Sequence, residues 1–100
     1  MIETLYTFST DDTTRVERIV NQPCVRINHL SLAQGESVDP HPTPEAAHFI
    51  ITRGVLGLKL NDQEQKSYPE GSIIAIPAKT MLAITNLGQE TMHLFVIKTV

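Results

Sequence analysis

The feature that most constrains the fold of this 100-residue chain is a series of short segments in which apolar and polar residues alternate. Turn-forming residues separate these segments about every eight to twelve positions. Residues 55–60 show the pattern most clearly, because Leu56, Leu58 and Leu60 occupy every second position. Such alternation is typical of a strand with one buried face. Short strands at this spacing predict an all-β, mostly antiparallel sandwich or barrel.

Proline and turn residues divide the rest of the chain in the same way. We predict further strands over residues 24–33, 47–53, 64–68, 72–76, 82–85 and 91–98. Residues 39–45 contain Pro40, Pro42 and Pro44, each of which removes a backbone donor. This segment is therefore predicted to be either a loop or a poor edge strand.

The N-terminal fifth carries a weaker signal. Residues 3–8 alternate only weakly, which indicates an edge strand or an exchanged strand. Residues 11–20 form either a helical turn or a strand over residues 14–20. We favour the strand, because β-branched residues dominate that stretch.

Charge and cysteine content exclude several classes of protein. The net charge is −3 and no window is rich in Lys and Arg, so we expect no binding to nucleic acid or to anionic membranes. The sole cysteine, Cys24, excludes a disulfide framework and Cys-rich zinc sites, and we expect it to be a small buried residue. Without a signal sequence or a membrane-spanning apolar run, we expect a soluble, cytoplasmic protein.

Two sets of spaced residues resemble the motifs of a known family. Gly35, followed after five residues by His41, is similar to the opening of the first cupin motif, Gly-x5-His-x-His-x3–4-Glu-x6-Gly. Gly71, followed after five residues by Pro77 and nine positions later by Asn86, resembles the second motif, Gly-x5-Pro-x-Gly-x2-His-x3-Asn. The chain therefore resembles a small single-domain cupin with degenerate metal-binding motifs.

The resemblance implies a particular architecture. It is a cupin-type double-stranded β-helix, or jelly-roll barrel, with one internal cavity and common pairing as a homodimer. We expect residues 1–100 to form a single cupin-like domain. In that domain, residues 1–23 supply N-terminal strands or an edge segment, and residues 24–98 form the barrel.

The metal ligands of the family are mostly replaced. Typical members hold a divalent metal with two histidines and a glutamate of the first motif and one histidine of the second. In the strict alignment His41 matches the first histidine, and the other three ligands fall on Thr43, Ala47 and Leu82. One ligand of four then remains.

A shift of one residue offers an alternative metal site. It places His48, instead of Ala47, at the position of the family's glutamate. His41 and His48, with His93, could then hold one divalent transition metal such as zinc, nickel, iron, manganese or copper. We favour the strict register, because the residues that follow then align with the family's aromatic, polar and glycine positions.

The strict register also predicts an apolar cavity. By alternation and by the resemblance, its walls are formed by Thr43, Phe49, Ile51, Leu82, Ile84 and Asn86. Such a cavity either closes as core or accepts a small, largely apolar ligand. We expect His29 to face solvent or a partner, and Glu45 to be a solvated surface carboxylate.

Three functions follow from these observations. The first is a small-molecule-binding or sensor domain whose metal site is largely lost. The second is a small metal-dependent enzyme, of dioxygenase, isomerase or epimerase type, built on His41 and His48. The third is an interaction domain in which Val25, Ile27 and Ile50 form a dimer surface. Fold alone does not choose among them, because one barrel supports many chemistries.

Overall fold

Antiparallel β-strands account for almost all regular structure in the computed structural model, which describes residues 2–99. Within those residues the strands are β1 (Arg15–Asn21), β2 (Val25–Leu32), β3 (Ser37–Thr43), β4 (Ala47–Arg53), β5 (Val55–Leu60), β6 (Lys66–Pro69), β7 (Ile73–Ile76), β8 (Thr80–Asn86) and β9 (Met92–Thr99). The all-β, antiparallel prediction is confirmed. The described range holds no helix long and apolar enough to cross a lipid bilayer.

The strands form two sheets that face each other. One has the order β1-β2-β9-β4-β7 and the other the order β3-β8-β5-β6. Neighbouring strands in space are therefore often distant in sequence, as when β2 pairs with β9 along its full length. This double-stranded arrangement agrees with the jelly-roll architecture that the resemblance implied.

Alternation selects the residues that fill the space between the sheets. The buried apolar side chains are Leu30, Leu32, Ala47, Phe49, Ile51, Leu56, Leu58, Ile76, Leu82, Ile84, Met92 and Leu94. Within each strand they occur two residues apart, because successive side chains of a strand point to opposite faces. The inner faces of both sheets thus form one core.

The proline-rich segment is a strand at a sheet edge. β3 pairs with β8 alone, and its register is irregular between Val38 and His41, around Pro40. Proline is tolerated there because an edge strand has one unpaired side. Of the two predicted alternatives, the edge strand is confirmed and the loop is wrong.

The described residues before Arg15 form no helix or strand. β1 begins at Arg15, so the predicted strand over residues 14–20 is confirmed against the helical turn. Residues 3–8 form no strand, and the predicted edge strand there is wrong. Cys24 lies exposed in the turn between β1 and β2, so its predicted burial is also wrong.

Candidate functional site

An apolar cavity of about 130 Å³ lies between the two sheets, near one open end. Its apolar walls are Val16, Leu30, Phe49 and Val96 from the five-stranded sheet, and Val38, Leu82 and Ile84 from the other. Polar groups enter only at the edge, where Asn28, Lys98, His41 and Thr43 complete the lining. This arrangement suits a small ligand with an apolar body.

The predicted ligand-binding residues divide into two groups. Thr43, Phe49, Leu82 and Ile84 come together along this cavity. Ile51 is fully buried outside the lining, as part of the core.

Asn86 is also buried outside the lining, and its amide joins three segments of backbone. Its Nδ2 donates to the carbonyl of Leu32 at 2.9 Å and to that of Glu90 at 2.8 Å. Its Oδ1 accepts the N–H of Gly88 at 2.9 Å. The side chain's hydrogen-bonding capacity is thus used inside the protein, and the structure gives Asn86 a structural position.

A cationic mouth opens at the end of the apolar cavity. We use this term for the polar residues that line a space of about 370 Å³, namely Arg18, Arg26, Asn28, Glu45 and Lys98. Three further residues, Val20, Asn21 and Pro44, complete the lining. Strand register explains the grouping, because Arg26 pairs with Lys98 and Arg18 with Asn28. Asn28 and Lys98 line both spaces, so the mouth and the apolar cavity are continuous.

The charges of the mouth are only partly compensated. Arg26 Nη1 lies 2.5 Å from Glu45 Oε1, so the carboxylate expected to be solvated is instead paired. Glu45 Oε2 is buried and has no hydrogen-bond partner among the described residues. No carboxylate in residues 2–99 forms an ion pair with Arg18 or Lys98. The mouth therefore offers two cationic groups and one free acceptor.

Sequence reasoning missed the cations of the mouth, although the signal was present. Leu32 and Leu30 point inward, and continuing the same alternation down β2 places Asn28 and Arg26 on the inner face as well. Polar residues at those inward-facing positions mark the point where the interior reaches solvent.

The three histidines predicted as metal ligands do not come together. His41 is exposed at the cavity rim, where its Nδ1 lies 3.0 Å from the carbonyl of Asp39. His48 is exposed on the outer face of β4, whereas Ala47 is buried at 1% exposure, so the favoured strict register is correct. His93 is buried on the outer face of β9. No cluster of three His, Cys, Asp or Glu side chains suited to a metal ion occurs in the described range.

The cavity lining does not fit the family's metal. Tight transition-metal sites use three or four nitrogen, oxygen or sulfur ligands. Here His41 supplies one imidazole, whereas Ala47 and Leu82 occupy two of the remaining positions and supply no ligand atom. The lining therefore lacks the donor set of a tight transition-metal site.

A second group of ionisable residues lies on the outer face of the five-stranded sheet. His29 Nδ1 is 2.7 Å from Glu17 Oε1, and His29 Nε2 is 3.0 Å from His93 Nδ1. His29 has no solvent exposure, since Phe8 packs on its ring at a centroid distance of 5.0 Å. The expectation that His29 faces solvent is wrong, because the N-terminal segment covers the outer face there.

Hydrogen bonding and burial lower two pKa values in this group. The hydrogen bond from His29, followed by that from the backbone N–H of Ser9, lowers the pKa of Glu17 from 4.5 to about 2. Burial, followed by the charge of His29, lowers the pKa of His93 below its usual 6.5. Glu17 is therefore held as a carboxylate, and His93 as a neutral imidazole, at neutral pH.

These shifts predict a loss of stability in acid. Both pKa values are lower in the folded chain than in the unfolded chain, so the unfolded chain binds protons more readily as the pH falls. The free energy of unfolding is expected to decrease below pH 6.5 because of His93, and again between pH 4.5 and about 2 because of Glu17. Urea denaturation across this range measures both steps.

A pair of variants checks the assignment. Glu17→Gln should remove the lower step, whereas Glu64→Gln, which changes an exposed glutamate outside the network, should leave it intact. An unchanged lower step in Glu17→Gln would contradict the assignment.

The chain is similar to a protein of an archaeon. No model of a known protein family matches the sequence. The chain is 38% identical over 99 residues to an uncharacterized protein of Methanocaldococcus jannaschii, covering 98% of this chain and 85% of that protein. The crystal structure of that archaeal protein, an RmlC-like cupin family protein with a double-stranded β-helix fold, matches with a TM-score of 0.94 over 99% of this chain and 92% of the other.

More distant structures share the fold alone. A cupin superfamily protein of Desulfitobacterium hafniense is 19% identical with a TM-score of 0.77, over 94% of this chain and 84% of that one. A cupin 2 conserved barrel domain protein of Salinispora arenicola is 17% identical with a TM-score of 0.75, over 94% and 82% of the two chains.

Proposed function

This chain belongs to the cupin family, and on that premise we propose that its barrel interior binds a small organic anion with an apolar body. The observation that carries the proposal is the continuity of two unlike spaces. An apolar cavity of about 130 Å³ opens directly into a cationic mouth of about 370 Å³, and Asn28 and Lys98 line both.

The apolar cavity sets the size of the ligand's body. A closed apolar cavity of roughly 150 Å³ accepts a molecule of the size of benzene, so the space between Phe49 and Leu82 suits a chain of a few carbons or a small ring. Each buried methylene contributes about 0.8 kcal/mol to binding. The apolar part alone thus supports weak binding, and the head group must supply the rest.

The mouth favours a negatively charged head group. Arg18 and Lys98 have no carboxylate partner in the described part of the chain, and a hydrogen bond between charged groups is worth about 1.5–3 kcal/mol. Arg26 is already neutralised by Glu45. A ligand can place its carboxylate between Arg18 and Lys98 and its apolar body beside Phe49. It then contacts both the cationic mouth and the apolar cavity.

The free oxygen of Glu45 adds a further preference. Glu45 Oε2 is a buried acceptor without a donor among the described residues, and such a group carries a desolvation cost. A ligand with a hydroxyl or amino group beside its carboxylate removes that cost. We therefore infer that hydroxy or amino acids bind better than the plain carboxylic acids of the same length.

This proposal favours the binding or sensor role over the metal-dependent enzyme. The interior is lined by cationic and apolar side chains, which suit an anion with an apolar body, and its donor set does not fit a transition metal.

Isothermal titration with matched six-carbon probes tests the proposal. Hexanoate is expected to bind at least about tenfold more tightly than 1-hexanol, because a charge-assisted hydrogen bond contributes about 1.5 kcal/mol or more. Lys98→Met should remove most of that difference. The matched control is Lys59→Met, which changes an exposed lysine outside the mouth and should leave hexanoate binding unchanged.

A filled cavity provides an independent check. Leu82→Trp places a larger side chain in the cavity and should abolish binding of both probes, provided that circular dichroism shows a folded chain. Equal affinities for hexanoate and 1-hexanol in the wild type, or binding that survives Leu82→Trp, would overturn the proposal.

A further inference from the structure

A continuous hydrogen-bonded chain of ionisable groups runs from Glu17 through His29 to His93, on the face of the sheet opposite the barrel interior. The strands bring it together, since Glu17 pairs across with His29, and Ser31, two residues further along β2, pairs with His93. Glu17 is fixed from the other side by the backbone N–H and the hydroxyl of Ser9, at 3.0 and 2.9 Å. The interior site described above uses none of these residues.

The hydrogen-bonded series of side chains ends at His93, which lines a further pocket. We call it the outer pocket; it has a volume of about 180 Å³ and is lined by Phe8, Thr10, Thr52, Arg53 and His93. His93 Nδ1 is occupied by His29, so Nε2 is the ring nitrogen left for the pocket. Nε2 has no hydrogen-bond partner in the described part of the chain, and it is not sealed from solvent.

The hydrogen bonds indicate which ring nitrogens of His29 and His93 donate and which accept. The Glu17 carboxylate accepts the Nδ1–H of His29. With its Nδ1–H donated to Glu17, His29 can accept the Nδ1–H of His93 at Nε2, which leaves a free lone pair at His93 Nε2.

We propose that the outer pocket is a general-base site, in which His93 Nε2 removes a proton from a small weak acid such as a phenol. The O–H bond of the ligand breaks and an N–H bond forms at His93 Nε2. The Nδ1 proton of His93 passes to Nε2 of His29. Positive charge thus arrives at His29, beside the carboxylate of Glu17, and the ligand's electron pair remains on its oxygen.

The pocket also accommodates the anion that forms. Arg53 reaches its wall, where it is held by Glu90 at 3.1 Å and by Asp12 at 3.6 Å, both exposed pairs that a ligand can exchange. The ring of Phe8 provides an apolar face for an aromatic body. In this site His93 is the catalytic residue, whereas Glu17 and His29 are positioning residues that act through it.

An optical probe tests the proposal directly. p-Nitrophenol is a small weak acid whose phenolate absorbs visible light, so absorbance at a pH below its pKa reports proton removal. Wild-type protein in excess should raise the phenolate absorbance, and His93→Gln should abolish the rise. Glu17→Gln should reduce it about tenfold, equivalent to one pKa unit, whereas His48→Gln, on the exposed outer face of β4, should leave it unchanged.

A phenolate signal that persists in a folded His93→Gln variant would overturn the proposal, whether or not hexanoate binds the barrel.

Chemical modification of the wild-type chain keeps the proposal testable if a variant fails to fold. Diethyl pyrocarbonate is a small electrophile that reacts with neutral, accessible imidazole nitrogen. His93 is expected to be modified near neutral pH, more slowly than the exposed His41 and His48 because only its pocket-facing edge is accessible, as read by mass spectrometry of peptides. An unmodified His93 beside fully modified His41 and His48 would overturn the proposal.

Discussion

Replacing Phe49 by alanine is expected to lower the free energy of unfolding by about 3–5 kcal/mol, the usual cost of deleting a buried phenyl ring. Phe49 is 1% exposed and lies at the centre of the inner face, paired with Val96 on one side and Ile74 on the other. Deleting the ring removes dispersion contacts and enlarges a cavity that already exists, so the neighbouring side chains cannot close the space. Urea denaturation followed by circular dichroism measures the change.

A neighbouring apolar residue gives the matched control. Ile73 pairs near Phe49 on β7, but its side chain is 67% exposed. Ile73→Ala is therefore expected to change the free energy of unfolding by about 0.5 kcal/mol or less. Similar losses in the two variants would show that the inner face has been assigned to the wrong residues.

Replacing Asn86 by alanine should have an effect of similar size through a different mechanism. The change leaves the buried carbonyl of Leu32, the partly buried carbonyl of Glu90 and the N–H of Gly88 without their partner. A buried polar group left unpaired costs about 1–3 kcal/mol, so we expect a loss of about 3 kcal/mol in total. The measurement is again the free energy of unfolding in urea.

A control variant and the ligand assay together distinguish a structural role of Asn86 from a ligand-binding role. Gln89→Ala removes an exposed amide three residues further on and should be nearly neutral. If Asn86→Ala weakened hexanoate binding without lowering stability, Asn86 would be a ligand-binding residue, as the sequence predicted, and the structural assignment would be wrong.

The inner face of the barrel could be predicted because it depends on local pattern. Leu82 and Ile84 alternate along one strand, and backbone geometry alone sends them to the same side. The choice of Ala47 over His48 needed one further fact, the strand register, which the spacing to Gly54 supplied. For such residues the sequence carries the answer within about ten positions.

The cationic mouth and the outer network could not be predicted in the same way. Arg18, Arg26 and Lys98 come from three strands, and they meet only because β2 pairs with both β1 and β9. The same pairing brings His29 to His93 across 64 positions of sequence. Registers between distant strands depend on the whole core, so no local pattern in the chain encodes them.

By itself, then, the sequence determined most of the strands and turns, and the inner face of strands such as β5 and β8, because a strand's side-chain period is a property of its own backbone. It also showed the resemblance to cupins and, in the strict alignment, the replacement of most of the family's metal ligands. The tertiary structure alone decided which charges meet at the mouth, that Glu45 is paired, and that the N-terminal segment buries His29. Those outcomes depend on contacts between distant parts of the chain, which form only when the core has selected one set of strand pairings.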